Sequence, residues 1–273
     1  MNLDKLLKQP NVLPVAPKVV RKLIDTFNQE NVDLMEAASV IEDDPVLTAK
    51  LLKMANSAFF GLKRNVSNAK DAISVMGLIK VRALVIGASL GEGFHCVGSV
   101  NMNQFWRYSL NSANLSRYIA LPIKIDESTA FTSGLVHGIG ELMMHAAMPE
   151  AMLALDREIP MLDLKRARAE QATFGYSYAD VGAALAKDWH FPKKMIDAIR
   201  HQAAPFDNDV YEPIAGVVHV ASWRARAQEL ALSSQTIISS YPDPVGLLLG
   251  IDPDSVIGEY LPSLTREDQE EAA

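Results

Sequence analysis

Apolar residues recur at intervals of three and four along nearly the whole chain, and no segment alternates convincingly with a period of two. One such stripe consists of Val19, Val20, Leu23, Ile24 and Phe27. This spacing puts the apolar side chains on one face of an α-helix, whereas a half-buried strand would need strict alternation. The chain is therefore predicted to be an all-α protein built from successive amphipathic helices.

Helix-start signals divide this pattern into separate elements. Asp44 followed by Pro45 is predicted to open one helix, with the aspartate as N-cap and the proline in the first turn. Ser67 or Asn68 is predicted to cap a later helix that ends at Gly77. The pattern therefore indicates several short helices rather than one long one.

Asn56 and Ser57 are polar residues at the end of the otherwise apolar helix that starts at Pro45. Buried amide and hydroxyl groups need hydrogen-bond partners, and the nearest backbone is that of the loop that follows. We expect both side chains to be buried and to bind that loop, which makes them structural rather than catalytic residues.

The composition limits the possible functions. With 273 residues, of which 49% are hydrophobic and 22% charged, the chain is expected to form one or two globular domains. The net charge of -7 argues against a general nucleic-acid binder, which needs a clustered basic surface. A local nucleic-acid contact is a weaker alternative, carried by the basic residues Lys50, Lys53, Lys63, Arg64, Lys80 and Arg82.

No segment indicates secretion or a membrane. The first ten residues, MNLDKLLKQP, contain an acid and no long apolar run, and they do not resemble a secretory signal. The longest apolar segment, residues 83–90, is far shorter than the ~20 residues that a membrane helix needs. Cys96 is the only cysteine, which excludes an intrachain disulfide and suits a reducing compartment. We therefore expect a cytoplasmic protein.

The segment FTSGLVHGIGELMMH, residues 131–145, carries a histidine inside an apolar helix pattern. Its apolar residues follow mixed three- and four-residue steps, so His137 is expected to point into the interior. Gly138 and Gly140 flank Ile139, and two glycines so close allow another backbone or a ligand to approach. The sequence therefore predicts a pocket beside His137.

The run DPVLTAKLLKMANSAFFG, residues 44–61, resembles the N-terminal half of the HDOD family, as do LPVAP before it and AISVMGLIKVRALV after it. HDOD domains are bacterial signalling modules related to the HD domains, and the resemblance covers roughly residues 10–260. Ala16 departs slightly from the family, which usually has a second leucine there. The resemblance implies structural roles for the motif residues Asp44, Pro45, Asn56, Ser57 and Gly61.

The segment GLVHGIGEL resembles the signature of the HD superfamily, whose metal-dependent phosphohydrolases have His-Asp where this chain has His137 and Gly138. The same resemblance places the other two metal ligands at Tyr108 and Ser222. A phenol, a glycine and a serine are poor substitutes for imidazole and carboxylate ligands. Because only His137 survives of the four positions, we expect no metal, no cofactor and no enzymatic activity.

Three further residues belong to the same expected pocket. Tyr178 replaces a histidine of the related pattern FGxxHxxxGxxLxxxWxxP, and His201 is followed by glutamine where relatives often have a second histidine. Glu141 lies one helical turn after His137 and could contact it, although a solvated or salt-bridged carboxylate is an equally good interpretation.

We expect side chains to refill the former metal cavity. Tyr108 and Tyr178 are large, whereas Gly138 and Ser222 are smaller than the aspartates they replace, as compensated packing requires. The tyrosines should approach His137 and Ser222, with at least one hydroxyl hydrogen-bonded inside the bundle. Gly138→Asp alone is then expected to destabilise the fold by burying an unpaired charge, without creating hydrolase activity.

The sequence as a whole predicts two packed helical subdomains, an HDOD-specific bundle over residues 1–98 and a degenerate HD-like bundle over residues 99–262. An acidic tail over residues 263–273 is expected to be disordered. The expected function is non-enzymatic bacterial signal transduction, in which an output or adaptor module binds a signalling protein or a small nucleotide. The alternative is a divergent HD-type phosphohydrolase that acts on a nucleotide, with metal ligands drawn from His137, Glu141 and His201.

Overall fold

The structure is a computed structural model, and it describes residues 2–9, 18–25, 32–56, 62, 65–92, 100–207 and 212–258. Every regular element within these ranges is an α-helix, so the prediction of an all-α fold is confirmed for the part of the chain that they cover. The residues outside these ranges include Ser57, Gly61, Lys63, Arg64, Cys96 and the acidic tail over 263–273.

Six helices lie within the described part of residues 2–92. They are α1 (Leu3–Leu7), α2 (Lys18–Asp25), α3 (Leu34–Glu42), α4 (Pro45–Ala55), α5 (Ala69–Met76) and α6 (Leu78–Glu92).

The remaining helices start after residue 100, and the longest is α7 (Met102–Ala120). It is followed by α8 (Glu127–Val136), α9 (Ile139–Ala147), α10 (Pro149–Glu158), α11 (Arg166–Phe174), α12 (Tyr178–Asp188) and α13 (Lys193–His201). The last four are α14 (Pro213–Glu229), α15 (Ser234–Ser239), α16 (Asp243–Leu249) and α17 (Pro253–Ile257).

These helices fall into two compact units. One contains α2 to α5 with most of α6, and the other contains α7 to α17 together with α1, which packs against α12. The sequence analysis instead assigned residues 2–9 to the N-terminal subdomain. The predicted boundary at residue 98 lies outside the described residues, and the two-subdomain division stays a prediction.

The helix-start signals of the smaller unit act as predicted. The Asp44 side chain accepts hydrogen bonds from the backbone N–H groups of Val46 and Leu47, at 3.1 and 3.0 Å, and Pro45 occupies the first turn of α4. Of the two candidate caps for α5, Asn68 takes the role, and the helix ends at Gly77 with a φ of 85°. These caps satisfy backbone groups that a helix end leaves unpaired, which fixes where each helix begins.

Asn56 holds the loop after α4, as predicted, but it is not buried. Its side-chain amide donates to the Val66 carbonyl at 2.9 Å, and its oxygen accepts from the Val66 N–H at 2.8 Å. The predicted hydrogen bonds are therefore confirmed. The predicted burial is wrong, because Asn56 is the C-cap of α4 and lies at the exposed end of that helix.

In the larger unit, α7 packs closely against both α8 and α14. Gly134 of α8 lies directly against the small residues Ser112 and Ser116 of α7. A Cβ atom added at Gly134 would lie 2.5 Å from the Ser116 hydroxyl and 2.9 Å from the Ser112 carbonyl oxygen. This packing brings Tyr108 of α7 against the C-terminal end of α8, where His137 is the capping residue.

Gly140 allows α9 to contact the start of α12. A Cβ atom at this position would lie 2.0 Å from the Tyr178 carbonyl oxygen, which is far inside van der Waals contact. The sequence analysis attributed the two glycines beside Ile139 to a close approach of another backbone or a ligand. The close approach of a backbone is confirmed at Gly140, and it places Tyr178 beside the His137 segment.

Candidate functional site

The candidate site is the buried interior of the larger unit around His137. Tyr108 comes from α7, Glu141 from the first turn of α9 and Tyr178 from the first position of α12. Arg226, which the sequence analysis did not single out, enters from α14. Four different helices therefore supply the side chains of this site.

His137 is fully buried and hydrogen-bonded through both ring nitrogens. Its Nδ1 lies 2.7 Å from the Gly134 carbonyl oxygen, and its Nε2 lies 2.8 Å from the Tyr108 hydroxyl. Because a carbonyl oxygen can only accept, Nδ1 carries the proton, and the neutral ring then accepts the Tyr108 hydroxyl proton at Nε2. The expectation that a tyrosine hydroxyl is hydrogen-bonded inside the bundle is confirmed.

Electrostatics favour this neutral state. Burial, and then the positive charge of Arg226, lower the pKa of His137 to about 3. Burial also raises the pKa of Tyr108, which keeps the phenol protonated. The Tyr108 and His137 rings meet edge to face, with centroids 5.1 Å apart. The pair is a neutral hydrogen-bonded unit, with no free ring nitrogen for a ligand.

Arg226 ties the two tyrosines together. Its Nη2 donates to the Tyr178 hydroxyl at 3.0 Å, and its guanidinium carbon lies 5.6 Å from the centroid of the Tyr108 ring. Both tyrosines are buried, so this cation interacts with an aromatic face and a phenol oxygen in a largely water-free setting.

The space that remains between these side chains is a cavity of about 10 Å³. It is lined by Phe105, Tyr108, His137, Gly138, Glu141, Met161, Tyr178 and Arg226. Such a volume holds one water molecule at most. Tyr178 meets Arg226 rather than His137, so the refilling that we expected involves an additional residue.

Two of the expected pocket residues lie outside this lining. Ser222 donates to the His219 carbonyl oxygen at 3.1 Å, and it also interacts with the Tyr108 phenol, which partly offsets the rise of the Tyr108 pKa. His201 ends α13 and is half-buried, and burial followed by the charge of Arg200 lowers its pKa. The structure thus brings Ser222 to the edge of the site and does not bring His201 to it.

Glu141 connects the cavity to a buried ionic network. One of its oxygens accepts from Arg166 Nη2 at 3.3 Å, and Arg166 also donates to Glu170 at 2.8 Å and to Asp156 at 2.7 Å. Arg166 and Glu170 have no exposed surface, and Glu141 is 3% exposed. The second oxygen of Glu170 accepts from the Tyr178 N–H at 2.7 Å. The salt-bridged interpretation of Glu141 is therefore the correct one.

The network contains more acidic than basic groups. Burial, and then the neighbouring Glu170, raise the pKa of Glu141 well above its ordinary value. The raised pKa favours the neutral form of Glu141, which lessens the repulsion between two buried carboxyl groups while Glu141 stays in contact with Arg166. His145 joins at the edge, with its ring nitrogens 2.8 Å from the Glu141 carbonyl oxygen and 2.9 Å from Asp156.

The residues around the cavity do not fit a divalent metal ion. The imidazole nitrogen that could bind a metal accepts from Tyr108, and Glu141, the one acid of the lining, is paired with Arg166. Arg226 adds a positive charge where a metal ion would need anionic ligands. In the part of the chain that the structure describes, no group of three or more His, Cys, Asp or Glu side chains could hold a metal ion.

Sequence reasoning missed Arg226 and Arg166 for different reasons. Arg226 lies four residues after Ser222 on the same helix, so helical spacing alone could have placed both on one face. Arg166 opens a short helix whose sequence, RARAEQATF, looks like a solvated surface. No periodic signal marks it as a residue without exposed surface.

The length and apolar character of the described helices decide whether any of them could cross a membrane. None of them combines the length and the apolar character that a membrane crossing requires.

Comparison with known proteins agrees with this architecture. The sequence model of the HDOD domain matches residues 13–205. An uncharacterized protein of Treponema pallidum is 26% identical over 226 residues, which covers 78% of this chain but 42% of that protein. The chain therefore spans less than half the length of this curated relative.

Solved structures show the same fold. A candidate phosphohydrolase of Shewanella amazonensis has 26% identity and a TM-score of 0.73, with 92% of this chain and 91% of that chain covered. A candidate signal transduction protein of Marinobacter aquaeolei has 22% identity and a TM-score of 0.75, with 94% of this chain and 57% of that chain covered. The resemblance stated from the sequence is confirmed: the chain belongs to the HDOD domain family.

Proposed function

We propose that this protein is a bacterial signalling module that acts by binding and not by catalysis. The observation that carries the proposal is the closed centre of the HD-like half. Tyr108 occupies the His137 nitrogen that a metal would need, and the remaining cavity of about 10 Å³ admits no substrate. A protein with this centre has to transmit information through its surface.

The family and the relatives support a signalling role. The HDOD family, to which the sequence resemblance attributes signalling roles, matches residues 13–205, and the Marinobacter protein of the same fold is named as a candidate signal transduction protein. The proposed partner is another signalling protein in the cytoplasm. A small nucleotide is the second candidate ligand, and it would have to bind outside the filled cavity.

One observation favours the alternative, a metal-dependent phosphohydrolase. The Shewanella protein, which covers nearly the whole chain, is named as a candidate for that activity. The alternative requires a metal held by His137, Glu141 and His201. Glu141 is bound to Arg166, and His201 does not line the cavity, so the three residues do not converge on one point.

The two functions are separated by metal content and hydrolysis measured on the same preparation. We expect the purified protein to contain well under one iron, manganese or zinc per chain and to leave bis-p-nitrophenyl phosphate and cyclic nucleotides intact. His137→Ala is the matched variant. A stoichiometric metal and a hydrolytic rate that both disappear in His137→Ala would establish the alternative instead.

A thermal-shift series with nucleotides then distinguishes the two kinds of ligand. If the partner is a protein, mono-, di- and cyclic nucleotides at millimolar concentration should leave the melting temperature unchanged. A saturable rise in melting temperature with one nucleotide would favour the small-ligand version of the proposal.

A further inference from the structure

We infer that the guanidinium group of Arg226 is a built-in cation that takes over the charge of the missing metal ion and excludes divalent metals from this centre. The inference goes beyond the proposed function, because it assigns the exclusion of metal to one residue that lies outside all four ligand positions.

The position of Arg226 is the first argument. It lies one helical turn after Ser222, and both residues project from α14 toward the α7 side of the site. Arg226 then reaches Tyr178 with Nη2 and the face of the Tyr108 ring with its guanidinium carbon. The cation therefore sits among the residues that replace the metal ligands.

The hydrogen bonding of Arg226 is the second argument. Its Nε is buried and has no hydrogen-bond partner among the described residues. A buried, unpaired donor on a charged group is costly and is expected to pair with any acceptor placed nearby. The guanidinium group is thus able to bind a carboxylate if one is introduced into the cavity.

Gly138 is the position from which such a carboxylate would enter. A Cβ atom built there meets Phe105 at 3.5 Å and Tyr108 at 4.0 Å, which are ordinary contacts with residues of the cavity lining. Gly138 and Arg226 line the same small cavity, so we expect the carboxylate of an aspartate at 138 to reach the guanidinium group. The earlier expectation of an unpaired charge in Gly138→Asp did not include this partner.

Electrostatics explain why the arginine and a metal exclude each other. A divalent ion in this cavity would lie close to a guanidinium group with little water between them, and like charges repel strongly there. Restored carboxylates would also be neutralised by Arg226 and lose their attraction for a metal ion. Restoring the ligands while Arg226 remains should therefore give an ion pair and not a metal site.

The first test restores the ligands with and without the arginine. The triple variant Tyr108→His, Gly138→Asp, Ser222→Asp is dialysed against Mn²⁺, and bound metal is measured by elemental analysis and electron paramagnetic resonance. We expect almost none in the triple variant and about one ion per chain once Arg226→Ala is added. Equal metal content in the two proteins, whether both bind or neither does, would overturn the inference.

A second test does not depend on so many substitutions. Gly138→Asp, Arg226→Gln and their combination form a double-mutant cycle measured by urea denaturation. We expect Gly138→Asp to lower the folding equilibrium constant at least tenfold more in the Arg226→Gln background than in the wild type. Arg224→Gln is the matched control, because Arg224 lies on the same helix, binds the Val256 carbonyl and does not line the cavity. Additive effects in the Arg226 cycle would contradict the inference.

Discussion

By its resemblance to HD domains, His137 corresponds to a metal-binding histidine, but its surroundings in this structure change what the residue can do. The ring is neutral, is held by the Gly134 carbonyl and the Tyr108 hydroxyl, and lies near the positive charge of Arg226. A histidine in this setting is a packing and hydrogen-bonding residue. The pKa of His137 therefore differs between the two states, because the unfolded chain binds a proton on this histidine at pH values where the folded chain does not.

We predict that His137 makes the protein sensitive to acid. Its pKa falls from 6.5 to about 3 on folding, so the unfolded state binds more protons between these values. The contribution of His137 to the free energy of unfolding is complete above pH 6.5 and is lost as the pH falls toward 3. The total loss is a few kcal/mol, at about 1.4 kcal/mol per pKa unit. Urea denaturation across this range should show a shallower decline for His137→Gln than for the wild type.

The control for this experiment is His190→Asn. His190 is exposed and has a φ of 61°, a conformation that asparagine tolerates. This variant should keep the acid sensitivity of the wild type. If His137→Gln and the wild type lost stability in parallel, the neutral, buried state of His137 would be refuted.

Among the helices, the contact between α9 and α12 requires a glycine at position 140, because a side chain there would overlap α12. We predict that Gly140→Ala destabilises the protein by about 3 kcal/mol or more, because the new methyl group would overlap the Tyr178 carbonyl and push α12 away. Gly138→Ala is the matched control, since its Cβ meets only ordinary contacts, and it should cost less than about 1 kcal/mol. Equal losses in urea denaturation would show that the close approach to Tyr178 does not explain the effect, because alanine favours a helix more than glycine does at both positions.

Helix ends were predictable from the sequence, whereas the roles of these glycines were not. Asp44 and Asn68 act through the N–H groups of their own helices, so the information is local. Gly138 and Gly140 are two residues apart and look equivalent in the sequence. Only the packing of α12, which is almost forty residues further along the chain, shows that one position is closed and the other open.

On the scale of the larger unit, the buried network around Arg166 joins residues from four successive helices. We predict that Arg166→Met costs about 3–5 kcal/mol in free energy of unfolding, because it leaves Glu141, Asp156 and Glu170 without their shared cation. Arg117→Met is the control: its pair with Glu127 is partly exposed and should contribute at most about 1 kcal/mol. A similar, small loss in both variants would mean that water reaches the network.

The limits of sequence reasoning are clearest at this scale. The all-α fold and the family follow from periodic patterns and a long motif, which are properties of contiguous residues. The filled centre was also predictable in outline, because the sizes of Tyr108, Tyr178, Gly138 and Ser222 indicate compensated packing. The charges that complete it were harder to predict, because Arg166 pairs with Asp156 and Glu141 from other helices and Arg226 pairs with Tyr178. The spacing from Ser222 indicates the helix face of Arg226 but not these partners.

The filled cavity also limits how substitutions could restore a metal site in the evolution of this chain. A mutation at Tyr108 removes the partner of His137, one at Gly138 introduces an acid beside Arg226, and one at Arg226 leaves the Tyr178 hydroxyl unpaired. Each change taken alone alters one of these contacts and does not supply a complete set of metal ligands. A complete set of metal ligands could therefore arise on this scaffold only through several changes made together, and gradual selection for metal binding has no favoured intermediate to act on.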